Sequence, residues 1–446
     1  PIFMTEKMRR RIALALSAVL ACLPAIVQAQ TAELQKGLAQ LFATAELHNA
    51  TLRSLETALQ TAEAGVITAQ AAKLPDITGE AAVSYLGNAR LWNRQFGEST
   101  AAPMPHFGNN FSLAARQVVY GGGGINAGIQ LARQGGKLAQ LYAEDGKQRV
   151  RFLLTGLYLQ LHNLRNGQEV YAANAALARQ LIEQMHKRRE QGISLRNDIT
   201  RYELQLQQML LGETTLRDRE SIVRKQLFTA LGTDTTDIKL LSEAAFDDAA
   251  VNVEGEAAWQ QAAGTQHVGL QRSSLSVDMS RTKERLVRSD LLPHVALLAE
   301  NHLDGPITTE VPPINKNLNY WFVGVGVSFN FSALYKSRRK LRETRLATSF
   351  AADEHAVLRS QVSDEVHEAY VNLGTARTEL TVRRKNVQLA SENYDVVSRR
   401  YEGGLALVTD LTDAASMKLD AELALADARI NLIYCLYKLK YACGAM

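Results

Sequence analysis

The residues of this chain that could carry chemistry are few and scattered. Gly121-Gly122-Gly123-Gly124 is the nearest approach to a phosphate-cradling loop, since an alternating apolar segment precedes it and a helical pattern follows. It lacks the Gly-Lys-Ser/Thr ending that would hold a phosphate and its metal, and reads instead as a corner between strand and helix. The nine histidines show no metal-ligand spacing, although His294 and His302 would share one strand face. No nucleophile stands beside a base. Arg116, Glu80 and Glu300 fall inside alternating segments, where the water-filled interior of a barrel is the setting that tolerates them. Cys435 and Cys443 sit eight residues apart on one helical pattern, roughly 12 Å by the axial rise and too far to bridge. A net charge of +4 over 446 residues gives no footprint for nucleic acid. The chain therefore reads as a non-enzyme with no cofactor, no metal and no nucleic-acid partner.

Two turns carry the remaining distinctive pattern. They read Arg188-Arg189-Glu190-Gln191-Gly192-Ile193-Ser194-Leu195-Arg196-Asn197-Asp198 and Arg399-Arg400-Tyr401-Glu402-Gly403-Gly404-Leu405-Ala406-Leu407-Val408-Thr409-Asp410. In each, basic residues close one helix and a glycine offers the left-handed C-terminal position. An aspartate then opens the next helix. Ordinary helix-hairpin caps explain the glycines and aspartates, but not the shared order of Gly, aliphatic, small, three residues, Asp.

The elements that must position these turns follow from the prolines. In the mature chain they cluster at Pro75, Pro103 and Pro105 and again at Pro293, Pro306, Pro312 and Pro313. The tracts between and after them are free to be helical. Leu153, Leu157, Leu161 and Leu164 recur at helical spacing, and Leu419, Leu423, Ala426, Ile430, Ile433 and Tyr437 alternate spacings of four and three, the seam of a coiled coil. The pattern predicts one helix over about Ile125–Gln191 and another over about Lys336–Glu402, each roughly 100 Å long. Segments 195–231 with 256–290, and 31–72 with 409–441, would stack end to end to match them. Gly135, Gly136, Gly146 and Gly156 weaken the first long helix locally and are where a break would fall.

The proline clusters flank strands. Along Trp321–Phe331, Trp321, Val323, Val325, Val327, Phe329 and Phe331 point one way, and Gly324, Gly326, Ser328 and Asn330 the other. Weaker alternation places strands at about 77–86, 111–120 and 294–303, with the fourth at 320–331. Their length suits a bilayer, and Tyr85, Trp92, Phe107, Tyr120, Tyr320, Trp321 and Phe322 suit interfacial girdles. A small soluble sheet is the alternative. Four strands cannot close a barrel and an open edge cannot face lipid, so a spanning reading requires several chains; three would supply twelve strands.

The chain also repeats itself. Val150, Tyr158, Leu161, Arg165, Asn174, Arg188, Gly192, Asp198 and Gly232 recur 212 residues later as Val362, Tyr370, Leu373, Arg377, Asn386, Arg400, Gly404, Asp410 and Gly444. Leu74-Pro75 matches Leu292-Pro293 at 218, so one strand-pair loop differs by six residues. The first repeat is 30–231 with its turn at 190–198. A linker covers 232–255, and the second repeat is 256–446 with its turn at 402–410.

Both turns, with the repeat, strand placement and helix lengths, resemble the TolC-like outer-membrane efflux proteins across essentially the whole mature chain. The resemblance implies an α+β fold, mainly a long α-helical coiled-coil barrel, with four strands given to a trimeric 12-stranded transmembrane β-barrel. It implies an exit duct of a tripartite efflux or type I secretion system. Its partners would be two further copies, a periplasmic adaptor, an inner-membrane pump reached through that adaptor, and outer-membrane lipid. It places adaptor docking at Gly192, Ile193, Ser194, Asp198, Gly404, Leu405, Ala406 and Asp410. It places a periplasmic gate at Asp410 and Asp413, where six carboxylates around one axis would raise proton affinity and attract cations. Tyr401 matches a tyrosine that bonds to the first-repeat aspartate, here Asp198, while Ala406 stands where the family's type member has a basic closing residue. A coiled-coil rod without transport activity is the alternative.

At the start, Pro1–Phe3 read as an upstream remnant before Met4. Lys7 to Arg11, the apolar run Ile12–Val27 and Val27-Gln28-Ala29 read as a secretory signal over 1–29. A lipid-modified Cys22 is the alternative.

Overall fold

The computed structural model describes residues 37–192, 195–233, 255–310 and 312–446. The signal segment, residues 234–254 of the linker, and the docking residues Ile193 and Ser194 lie outside the described residues. Helices α1 (37–48) and α2 (Ala50–Ala71) lead into strands β1 (Asp76–Tyr85), β2 (Ala89–Trp92), β3 (Ser99–Ala102) and β4 (Phe107–Gly121). Helices α3 (Gly124–Glu190), α4 (Arg196–Leu231), α5 (Glu256–Gln266) and α6 (Val268–Ser289) follow, then strands β5 (His294–Gly305) and β6 (Leu318–Ser328), and helices α7 (Ala333–Glu402) and α8 (Val408–Cys443). The chain divides into two compact units.

One unit, residues 58–140 and 272–356, holds the sheet. Its order is β1-β4-β5-β6, every pair antiparallel, with β1 and β6 at the edges. The register separates two faces. Ile77, Ala115, Ala299 and Val323 form one cross-strand row, and Gly79, Leu113, Asn301 and Trp321 the next on the same side. On the other side stand the rows Asp76, Arg116, Leu298, Gly324 and Glu80, Ser112, His302, Tyr320. Arg116, Glu80 and Glu300 thus share the polar face. The apolar face is bare: Trp321 is 73% exposed and Val323, Val325 and Val327 are 67–69% exposed.

The strands differ from the predicted ones at their ends. β4 starts at Phe107 rather than 111, and β6 stops at Ser328, leaving Phe329 and Phe331 outside the ladder. The loop between β1 and β4 carries a further hairpin, β2 with β3. That loop spans 86–106 against 306–317 between β5 and β6, so the longer connection lies in the first half. The glycine corner behaves as predicted: Gly122 has φ 60°, and a Cβ on it would stand 2.6 Å from the Ser289 carbonyl.

The helical unit comprises residues 1–57, 141–271 and 357–446, so far as described. Its leucine-, alanine- and tyrosine-rich seams close three cores, around Leu154, Tyr158 and Ile433, around Val366, Leu373 and Leu439, and around Met185, Tyr202 and Leu411. α4 and α8 are both 36 residues, begin 212 positions apart, and end on left-handed Gly232 and Gly444.

Two expectations about breaks are corrected. α3 runs unbroken through all four glycines. Gly146 instead admits a neighbouring helix, since a Cβ there would collide with Leu55 Cδ1. The breaks fall at Asn49 and His267, positions that the sequence pattern places in helix interior. Each supplies a cap: Asn49 Oδ1 accepts from the Leu52 amide at 3.0 Å, and His267 Nδ1 from the Leu270 amide at 3.3 Å. A Cβ on Gly232 would collide with the His48 carbonyl, and one on Gly444 would stand 2.8 Å from the Gln266 carbonyl. The close approach of a helix end to each break is what local sequence does not reveal.

Candidate functional site

The two turns come together in the helical unit, where α3 passes to α4 and α7 to α8. Gly192 (φ 77°) and Gly404 (φ 72°) take the left-handed conformation that ends each long helix, and a Cβ added at either would meet nothing within 4 Å. The Gly404 amide donates to the Tyr401 carbonyl at 3.0 Å and the Leu405 amide to the Arg400 carbonyl at 2.7 Å, closing α7. Leu195 and Leu407 then hold extended backbone as the cap residues of α4 and α8. Leu195, Leu405 and Leu407 are exposed.

Asp198 and Asp410 occupy the third helical position rather than the cap itself. Asp410 Oδ2 accepts from the Leu407 amide at 3.1 Å, satisfying an orphan donor of the helix start. Asp410 and Asp413 lie three residues apart, on one side of α8. Asp198, Tyr401, Arg188, Asn197, Arg201 and Thr409 border one cleft of about 370 Å³. Among the described residues no hydrogen bond joins Tyr401 to Asp198. Tyr401 is buried among Met185, Ile199, Tyr202, Val408 and Leu411, and its ring carries a different neighbour.

That neighbour is Arg188, which in the sequence is one of several ordinary basic residues at a helix end. Its guanidinium lies 5.7 Å from the centroid of the Tyr401 ring. Nη1 donates to the Tyr401 carbonyl at 3.4 Å, and Nη2 donates to the Glu402 carbonyl. A cation from the first half thus caps the C-terminus of α7, where the helix dipole favours positive charge. Behind it, Gln205 Nε2 donates to Ser416 Oγ at 2.8 Å, tying α4 to α8. Burial raises the Tyr202 hydroxyl well above its ordinary pKa and raises that of Tyr394, to which it hydrogen-bonds, so both stay neutral. Lys418 stands 5.0 Å over the Tyr394 ring. The arrangement is a set of helix-end locks. No group of three or more metal-ligating side chains occurs among the described residues, and no described helix is long and apolar enough to cross a membrane.

Residues 259–445 match the family model described as outer membrane efflux protein. Three solved structures share the fold over nearly their whole length. The outer-membrane channel OprN has a TM-score of 0.77 at 16% identity, covering 92% of this chain and 90% of that one. The outer membrane protein VceC from Vibrio cholerae has 0.74 at 14%, covering 91% and 96%. The CmeC outer membrane channel of Campylobacter jejuni has 0.72 at 14%, covering 92% and 86%. None of the curated proteins matches. The second half of the chain is thus similar to the outer membrane efflux proteins, and the chain as a whole carries the fold of these outer-membrane channels.

Proposed function

We propose that this chain is an outer-membrane protein, the exit duct of a tripartite efflux or type I secretion system, working as a homotrimer. The observation that carries the reading is the four-stranded sheet. One face is polar and holds Arg116, Glu80, Glu300 and His302; the other exposes Trp321, Val323, Val325 and Val327; both edges are unpaired among the described residues. Lipid tolerates that apolar face but not the open edges, and edge pairing between three copies removes them. A rod without transport activity would leave the same face in water, beyond what a soluble surface normally carries.

In this reading Gly192, Ile193, Ser194, Asp198, Gly404, Leu405, Ala406 and Asp410 receive the helical hairpins of a periplasmic adaptor, and the inner-membrane pump is reached through it. The exposure of Leu195, Leu405 and Leu407 supports docking there. Asp410 and Asp413, with Tyr401 and Asp198 beside them, form the gate. Purified protein in planar bilayers tests this: native channels are blocked by divalent cations at the tip side, and replacing Asp410 and Asp413 by alanine weakens the block. Unchanged block removes the gate assignment. Recovery of the chain from cells without detergent, away from outer membranes, removes the duct.

A further inference from the structure

The start of α7 carries the densest run of positive charge in the chain. Within one unit β6 ends at Ser328 and α7 begins at Ala333. Lys336, Arg338, Arg339, Lys340, Arg342 and Arg345 follow at once, all of them exposed, with Glu343 the one acid between them. Among the described residues Lys340 alone has an acidic partner, Glu343 at 2.9 Å. Helix stability does not account for this run. The first turn of α7 holds no acid, and the positive end of a helix dipole disfavours cations. Like charges three and four residues apart, Arg338 with Arg342 and Arg339 with Arg342, oppose the helix further. A segment that works against its own secondary structure points to an anion outside it.

The neighbouring residues say what kind of anion. β6 exposes Trp321, Val323, Val325 and Val327, and is followed by Phe329 and Phe331, whose rings meet edge to face at 5.0 Å. Phe331, Leu334 and Tyr335 are exposed as well. Along the chain the order is apolar, aromatic, cationic, which is the order of hydrocarbon, interface and headgroup in a bilayer. Ser337, Leu341, Thr344 and Thr348 make the half-buried side of α7, where the Thr348 hydroxyl donates to Glu284 of α6 at 2.6 Å. Tyr335, Arg339, Arg342 and Leu346 take the opposite side and stay exposed. α7 leaves the sheet at its N-terminus, so the tilt of each Cα–Cβ bond aims these long side chains back toward the strands. By the axial rise Arg338 and Arg342 stand roughly 8 and 14 Å beyond Ala333, distances that snorkelling shortens. At the other end of the sheet the loops 86–106 and 306–317 carry Arg90, Arg94 and Lys316 against Glu98 and Glu310. The charge is therefore concentrated on the helical side.

We propose that the first turns of α7 form a cationic collar that binds the phosphodiesters of anionic phospholipids, in the leaflet on the helical side of the sheet, with Arg338, Arg339 and Arg342 as its main contacts. The inference rests on the outer-membrane reading above and adds a lipid to it. Guanidinium forks take phosphate oxygens two at a time. A zwitterionic headgroup offers the same phosphate beside an ammonium that repels the collar, so the collar discriminates by net charge.

The full-length protein in a non-ionic detergent, titrated with phosphatidylglycerol or with phosphatidylcholine, tests this, with retained lipid read by native mass spectrometry. Phosphatidylglycerol should be held about tenfold more tightly or better, and the preference should shrink as salt rises from about 50 to about 500 mM. Arg338→Gln, Arg339→Gln and Arg342→Gln should each weaken phosphatidylglycerol about fivefold, while lysine at all three positions should keep most of the preference. Arg90→Gln with Arg94→Gln, at the other end of the sheet, should leave it unchanged. Equal retention of the two lipids, or a native preference when all three arginines are glutamine, overturns the collar. Inorganic phosphate that displaces the lipid at equal concentration overturns it too. So does loss of assembly in the glutamine variants, which would make these arginines a contact between copies. A native chain that takes up neither lipid and stays in solution without detergent overturns the membrane reading beneath the collar.

Discussion

Replacing Arg188 by alanine is the sharpest test of how the turns are held. Arg188 donates to the Tyr401 carbonyl at 3.4 Å and to the Glu402 carbonyl, and lies 5.7 Å from the Tyr401 ring centroid. A hydrogen bond from a charged donor contributes about 1.5–3 kcal/mol, but the 3.4 Å bond is long and the side chain is only part-buried, so water recovers some of it. The ring contact adds about 0.5–1 kcal/mol at such a site. A net of about 2 kcal/mol for opening the end of α7 is the resulting magnitude, or roughly 30-fold in the opening equilibrium. Hydrogen exchange reads this directly at Gly403, Gly404 and Leu405, whose amides donate to the Arg399, Tyr401 and Arg400 carbonyls at 3.0, 3.0 and 2.7 Å. In Arg188→Ala those three should exchange roughly 30-fold faster, while the amides at Gly232 and Gly444 keep their native rates. Arg188→Lys should fall between, since an ammonium keeps the charge but loses the planar fork. Unchanged exchange at 403–405, or an equal rise at all helix ends, would refute the clasp.

Acid should weaken the helical unit through His162. Burial, followed by the charge of Arg165, lowers its pKa from 6.5 to about 4. The unfolded chain then binds a proton that the folded chain refuses, so stability is full above pH 6.5 and falls through the window down to about 4, by about 3 kcal/mol in all; His162→Gln should flatten that part of a thermal-unfolding series. Among the left-handed glycines, Gly192→Ala meets open space and should cost only the conformational ~1–2 kcal/mol. Gly232→Ala collides with the His48 carbonyl and should lower the melting temperature far more; equal losses would deny the packed helix break.

The parts legible in the sequence were those that one stretch of chain decides alone. Proline-free tracts with heptad-like leucines fixed α3 and α7 to within a few residues, because a helix interior admits or forbids proline locally. The alternation from Trp321 to Val327 gave the faces of β6 correctly, since the pleat has a period of two. What escaped was decided by neighbours. Asn49 and His267 break helices where no proline or glycine stands, because a glycine-capped helix end fills the space. The β2–β3 hairpin is made of four-residue strands, too short to alternate visibly. Arg188 was indistinguishable from Lys187 and Arg189 until helix register aimed it at the end of α7. The shared offset of Arg188 and Arg400 was the one available signal.

Two surfaces, one in each unit, remain incomplete in the single chain, and they are incomplete for different physical reasons. Among the described residues the edges of β1 and β6 lack hydrogen-bond partners, a deficiency that water repairs and hydrocarbon does not. The exposed apolar positions of α4 and α7 lack cover, a deficiency that water creates. A soluble monomer would meet only the first demand, and a monomer in lipid only the second. In the homotrimer proposed above, further copies of the same chain meet both demands.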